Sequence, residues 1–176
     1  MNKVILILFT VVLAGLTLDV AAELPGKVQI SAQKKHGEVV KGAVGEAGTR
    51  AKSTNRQSYV ITIQNRTQGE LTNLAVDYIV FVERQKLAQK KGDETVQRVT
   101  GTKTLDSLAR EPQVMTTEVV TLVTENLVGA YHYGSGGRIK SEDSLIGVWV
   151  RVSQDGKIIG EYALPTTAMN RGWDKK

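Results

Sequence analysis

The stretch that most constrains this chain runs from Ser58 to Glu83, SYVITIQNRTQGELTNLAVDYIVFVE. In its first half Tyr59, Ile61 and Ile63 fall on one face of a period-two ribbon, with Thr62 and Gln64 opposite. In its second half Leu74, Val76, Tyr78, Val80 and Val82 share a face, while Ile79 and Phe81 make the other face apolar too. A strand apolar on both sides belongs in the interior of a sheet and needs cover above and below. The connection Asn65–Thr72 is too long for a two-residue hairpin and carries Gly69. It suits a crossing from one sheet to another, with Leu71 closing the end of the core and the Asn65 side chain capping the turn.

Ahead of this pair, Met1–Lys3 supplies a short positive region and Val4–Leu18 an apolar run. Val20-Ala21-Ala22 then offers the small residues read by a signal peptidase. The expectation is an export signal over residues 1–22 and a mature domain over residues 23–176. The apolar run is short beside the roughly 20 residues a membrane span requires. The chain has no Cys, which excludes disulfides, thiolate metal sites and lipid attachment through a cysteine. The mature length is enough for one core without covalent staples. The formal net charge is +5, spread along the sequence as Lys34-Lys35, Arg84, Lys86, Lys90-Lys91, Arg138, Lys140 and Lys175-Lys176. An exported basic protein meets anionic glycans, lipopolysaccharide or acidic partners rather than nucleic acid. The competing reading is a solvated surface of mixed charge.

The rest of the chain repeats the same grammar. Lys27–Lys35 predicts a first strand with Val28, Ile30 and Ala32 inward. From His36 two readings stay open: Val39-Val40 and Ala43-Val44 could extend a strand, but the glycines at 37, 42, 45 and 48 interrupt it, and Gly48–Gln57 reads as a polar loop. Gln85–Asp93 is a charged turn. Thr95–Thr104 predicts a polar edge strand on which Arg98 and Lys103 discourage edge-to-edge pairing. Leu105–Arg110 suggests one helical turn ended by Pro112. Val114–Thr124 reads as one strand, with Val120 and Leu122 or the opposite set inward, and Glu125–Asp143 as a long loop.

Ser144–Gln154 alternates Ile146, Val148, Val150 and Val152, and Asp155-Gly156 predicts a type I′ turn. An uninterrupted ladder then places Ser153 opposite Ile158, Val152 opposite Ile159, Val150 opposite Glu161 and Trp149 opposite Tyr162. Glu161 fits a buried face poorly, so that end of the last strand is expected near an edge. Pro165 stops it, and a polar tail with Trp173 follows. Seven to eight short strands with almost no helical periodicity point to an all-β, two-sheet antiparallel sandwich, with a closed barrel as the alternative.

The pattern Y-V-I-T-I-Q-N-R-T-x3-L-x-N-L-x-V-x-Y, Tyr59–Tyr78, resembles the second and third strands of bacterial immunoglobulin-like and fibronectin-like domains. Val148–Tyr162 is similar to their last hairpin. The chain as a whole looks like a small exported immunoglobulin-like protein encoded among type IV pilus genes of mucin-degrading gut bacteria. That resemblance implies an immunoglobulin-like sandwich, a cell-surface or extracellular location, and a role in pilus assembly or adhesion. It carries over no site residues.

Chemistry-bearing residues are sparse. His132 with Ser135 or Ser141 and Asp143 could be drawn as a triad, but no nucleophile elbow or other structural signature supports it. Asp93-Glu94 and Glu142-Asp143 read as solvated turn charges. Neither calcium nor zinc finds its ligand pattern, and no cofactor is expected. The segment with a binding character is Tyr131-His132-Tyr133 through Arg138, where tyrosines offer flat amphipathic surface and glycines permit close approach. Its competing reading is a connection whose tyrosines pack over the end of the sandwich. The function expected from sequence is therefore that of a non-enzymatic exported surface or pilus-associated protein with a protein partner. The alternative is a carbohydrate-binding module for acidic glycans, and an uncharacterised hydrolase comes behind both.

Overall fold

A computed structural model describes residues 22–24, 26–42, 50–90, 92–127 and 139–174. It shows a two-sheet antiparallel β-sandwich. The strands are β1 (Ala22–Leu24), β2 (Val28–Lys41), β3 (Arg50–Asn65), β4 (Leu71–Arg84), β5 (Thr95–Leu108), β6 (Gln113–Thr116), β7 (Val120–Leu127), β8 (Lys140–Glu142), β9 (Ser144–Gln154) and β10 (Lys157–Leu164). A 3₁₀ helix, Thr166–Arg171, follows. Sheet I has the order β1-β10-β9-β4-β5, and sheet II the order β2-β3-β7-β8, with β6 also pairing β3. Seven strands are long and three are stubs of three or four residues. No helix among the described residues is long and apolar enough to cross a membrane.

The central pair behaves as its alternation demands. Tyr59, Ile61 and Ile63 of β3 and Leu74, Val76, Tyr78, Val80 and Val82 of β4 are all buried between the sheets, with Val28 and Ile30 of β2 and Val148, Val150 and Val152 of β9. The connection between β3 and β4 crosses from sheet II to sheet I. Leu71 is buried at its end. Asn65 holds the crossing together: its Nδ2 donates to the Gly69 carbonyl at 2.6 Å and to the Leu108 carbonyl at 3.0 Å. Its Oδ1 accepts from the Thr67 N–H at 2.7 Å.

The second face of β4 is covered from outside the sandwich. Ile79 and Phe81 cluster with Trp149, Ala163 and Ala168, and Met169 and Trp173 pack against them. The polar tail is thus a lid over sheet I. Trp173 meets Trp149 edge to face, with ring centroids 5.0 Å apart. The Arg151 guanidinium lies 4.9 Å from the Trp149 ring centre and 4.2 Å from that of Trp173. Arg98 of β5 reaches the same lid, donating to the Arg171 and Trp173 carbonyls and standing 5.6 Å from the Phe81 ring centre.

Several sequence expectations are corrected. Gly48–Gln57 is no loop from Arg50 onward: β3 starts there and pairs with β7 over Arg50–Gln57. Of the two readings left open after His36, the strand holds as far as Lys41: β2 continues through Val39-Val40, absorbing its glycine through a register shift between His36 and Val39. Leu105–Leu108 is not a helical turn but the end of β5, paired with Leu71–Leu74. Val114–Thr124 is two strands. β6 pairs Val60–Ile63 and β7 pairs Arg50–Gln57, and at the break between them Thr117 Oγ1 accepts from the Tyr59 N–H at 2.9 Å.

Two bulges break the expected alternation in sheet I. Between β9 and β4, Phe81 faces Gly147 while Val82 faces Leu145. Leu145 is therefore the buried inner residue, and Ile146 joins the outer cluster. In the last hairpin Asp155 and Gly156 both take positive φ, 49° and 79°, the geometry of a type I′ turn. Ser153 faces Ile158 as expected, but the ladder skips Ile159, so Val152 faces Gly160. Every later pair moves by one: Glu161 faces Arg151, Tyr162 faces Val150, and Ala163 faces Trp149. The shift turns Glu161 to the outer face, where it has partners, and Tyr162 into the core. Nor is that end of β10 an edge, since β1 pairs with Glu161–Ala163.

Candidate binding surface

The candidate surface is the end of sheet II. In β2 every residue from Gln33 to Lys41 is exposed, whichever face its position occupies. The ladder continues regardless, β2 to β3 through Lys41↔Ser53 and β3 to β7 through Arg50↔Leu127. A strand bare on both faces has left the cover of the sandwich, so β2 projects as the edge of a ribbon whose middle strand, β3, is half-buried at Ala51, Ser53, Thr54, Asn55 and Gln57. Its stability comes from backbone pairing and from continuity with the buried halves of the same strands.

Alternation assigns the faces. Tyr59 points into the core, so Gln57, Asn55, Ser53 and Ala51 follow it on the inward side, and Arg56, Thr54, Lys52 and Arg50 lie outward. Lys35, paired with Ser58, and Val40, paired with Thr54, share the outward face. Arg50, Lys52, Arg56 and Lys35 are all exposed. Lys34 and Lys41 add cations on the inward side. Segments 34–41 and 50–57 hold six of the chain's 23 Lys and Arg but one of its 18 Asp and Glu, and with Glu125 of the neighbouring β7 the ribbon's balance is +4. The ribbon is thus a locally basic part of the chain.

The loop singled out by sequence has its roots at this end. β7 finishes at Leu127 and the chain is described again from Ile139, whose carbonyl accepts from the Leu127 N–H at 2.9 Å. Leu127 is paired with Arg50. Tyr131, His132, Tyr133 and Arg138 themselves lie outside the described residues, as do residues 1–21 of the expected signal. His36 is described and is an exposed residue of the ribbon.

Below the ribbon the two sheets are tied by Asp143, which is buried rather than a solvated turn charge. Its Oδ2 accepts from Arg84 Nη1 at 2.7 Å and from the Val123 N–H at 3.1 Å, and its Oδ1 from the Gln85 N–H at 3.1 Å. Arg84 Nη1 also donates to the Thr121 carbonyl at 2.9 Å. Arg84 ends β4 in sheet I and Gln85 follows it, while Thr121 and Val123 belong to β7 in sheet II. Asp143 is thus part of a structural bridge, while His132 and Ser135 of the sketched triad lie outside the described residues. Its neighbour Glu142 is exposed and paired with Lys140 at 2.6 Å.

Among the described residues no group of three or more His, Asp or Glu is placed to hold a metal ion. The described residues also form surface depressions. One lies beside Gly26–Lys27 and Lys157–Glu161, and another between Trp173–Asp174 and β4–β5, lined by Asp77, Ile79, Thr100 and Thr102. The ribbon's cations were missed in sequence because hydrophobic alternation reports burial, and a strand with polar residues at its half-buried positions carries none. The signal that could have found them is the spacing Arg50, Lys52, Arg56, which puts like charges on one side of any extended segment. Compared with known proteins, the chain matches no family model, no curated protein and no solved structure.

Proposed function

We propose that this chain is a non-enzymatic exported protein of the cell surface or pilus, acting in adhesion or assembly through contacts with a surface partner. In this reading residues 1–22 are the export signal, and the mature chain is periplasmic, outer-membrane-associated or extracellular. The observation that carries it is the projecting ribbon: the molecule's most distinctive surface is an extended, charged end of a sheet, suited to contact rather than to enclosing a substrate. Sandwiches commonly place recognition at the ends of their sheets, on segments held by a rigid core. The resemblance of Tyr59–Tyr78 and Val148–Tyr162 to immunoglobulin-like domains supports the same reading.

Fractionation of the native cell with an antibody to the chain, followed by cross-linking, tests it. Recovery with sheared pili or the outer-membrane fraction, cross-linked to a surface protein, is the expected outcome. Recovery in the cytoplasm overturns it.

A further inference from the structure

We propose that the outward face of the projecting ribbon is a binding site for an anionic polysaccharide bearing carboxylate or sulfate groups. This rests on the surface-contact function proposed above and deepens it by naming a ligand for one face. Arg50, Lys52 and Arg56 occupy alternate positions of one strand, with only Thr54 intervening in the file. Successive same-face positions are about 7 Å apart along an extended strand, so the file spans about 20 Å. Lys35 on β2 widens it. All four are exposed, and the ion pair between Lys52 and Glu125 on this face, at 3.7 Å, is itself open to water with Lys52 53% exposed. Such a pair contributes little and yields readily to a competing anion.

The spacing and composition of the face select among polyanions. Its charge repeats along one strand axis, as the charge of a linear polysaccharide does. Arginine's planar fork suits bidentate contact with carboxylate or sulfate. Segments 34–41, 50–57 and 120–127 contain no Phe, Tyr or Trp. The ribbon therefore offers no platform for stacked bases and none of the aromatic anchors that dominate protein–protein contacts. What remains is dense positive charge with the exposed methyls of Val40 beside it.

The test uses the purified full chain and fluorescently labelled heparin and polygalacturonate, with dextran, oligodeoxythymidine and polyglutamate for comparison. Anisotropy is read at low and at physiological salt. The expected result is binding to heparin or polygalacturonate that weakens with salt, and no binding to dextran. The triple variant Arg50→Glu/Lys52→Glu/Arg56→Glu should lose about tenfold or more in affinity. The variant Lys27→Glu/Lys103→Glu/Lys157→Glu, with the same change in net charge but at the opposite end of the sandwich, should keep it. Should the first variant fail to fold, as judged by its melting curve, Arg50→Gln/Lys52→Gln/Arg56→Gln replaces it. Equal loss in both triple variants overturns the site, because net charge alone would then explain binding. Tighter binding of polyglutamate or oligodeoxythymidine overturns the ligand class, and no binding to either polysaccharide overturns the proposal. Surface retention of the ribbon variants in cell fractions, read separately, shows whether the surface-contact function stands without the glycan.

Discussion

Trp149 Nε1 donates to Glu161 Oε1 at 2.8 Å, and Arg151 Nε donates to the same oxygen at 2.6 Å. One carboxylate on β10 therefore holds both a ring and a cation of β9, and those two support the C-terminal lid. Glu161 sits beside them because the ladder skips Ile159. Glu161→Ala leaves the indole N–H and the guanidinium without their acceptor. With the two charged side chains only 11% and 25% exposed, the expected loss is about 1–3 kcal/mol. Urea denaturation measures it, and Glu161→Gln, which keeps an acceptor oxygen, should lose less.

The Asp143 bridge yields a second expectation. Asp143→Ala removes the acceptor of two backbone N–H groups and of Arg84 in one step. Because Arg84 keeps partial access to water, the cost is expected at about 3 kcal/mol, the low end for a broken buried pair. Thermal melting measures the loss, and hydrogen exchange should show it concentrated where β4 and β7 meet. A global, uniform loss of protection would argue against a local bridge.

Asn65 supplies a third. Asn65→Asp keeps the acceptor for the Thr67 N–H but replaces the amide donor to Gly69 and Leu108 with an oxygen facing two carbonyls. Stability should fall by about 2 kcal/mol or more, whereas Thr67→Ser, which retains the hydroxyl, should be nearly silent. Chemical denaturation of the two variants side by side is the measurement.

Gly101 supplies a fourth. A Cβ there would overlap the ring of Tyr78, which is buried and whose hydroxyl accepts from the Glu118 N–H at 3.1 Å. Gly101→Ala must push the ring off that bond, and overpacking of this kind costs about 1–3 kcal/mol. A variant as stable as the parent in a melting scan would show that the ring relocates freely.

How much of this was legible in advance depended on whether burial left a mark in the sequence. Whereas the sequence left both faces of β7 open, the inward files of β2, β3 and β4 could be read residue by residue, because apolar residues recur at every second position. So could the crossing at Asn65 and the turn at Asp155-Gly156, whose residue types answer to local backbone geometry. Bulges were invisible: nothing in Ile158-Ile159-Gly160 distinguishes a skipped residue from a paired one, and one skip moved Glu161 from an awkward inner position to a satisfied outer one. Arg50–Gln57 was invisible for another reason, since a strand with polar residues at its half-buried positions resembles a polar loop. The candidate surface was accordingly sought in the tyrosine loop at 131–138, while the charge lay on the strand paired with that loop's root.

The contact between Trp149 and Trp173 has a practical corollary. These are the only two tryptophans in the chain, and both stand at the junction of the 3₁₀ segment with sheet I. Intrinsic emission is therefore a private channel for that junction: detachment of the final segment would change the signal, while events on the distant ribbon would leave it dark. An experimenter following ligand capture optically would need a dye on the ribbon, and an unlabelled sample would report the health of the lid instead.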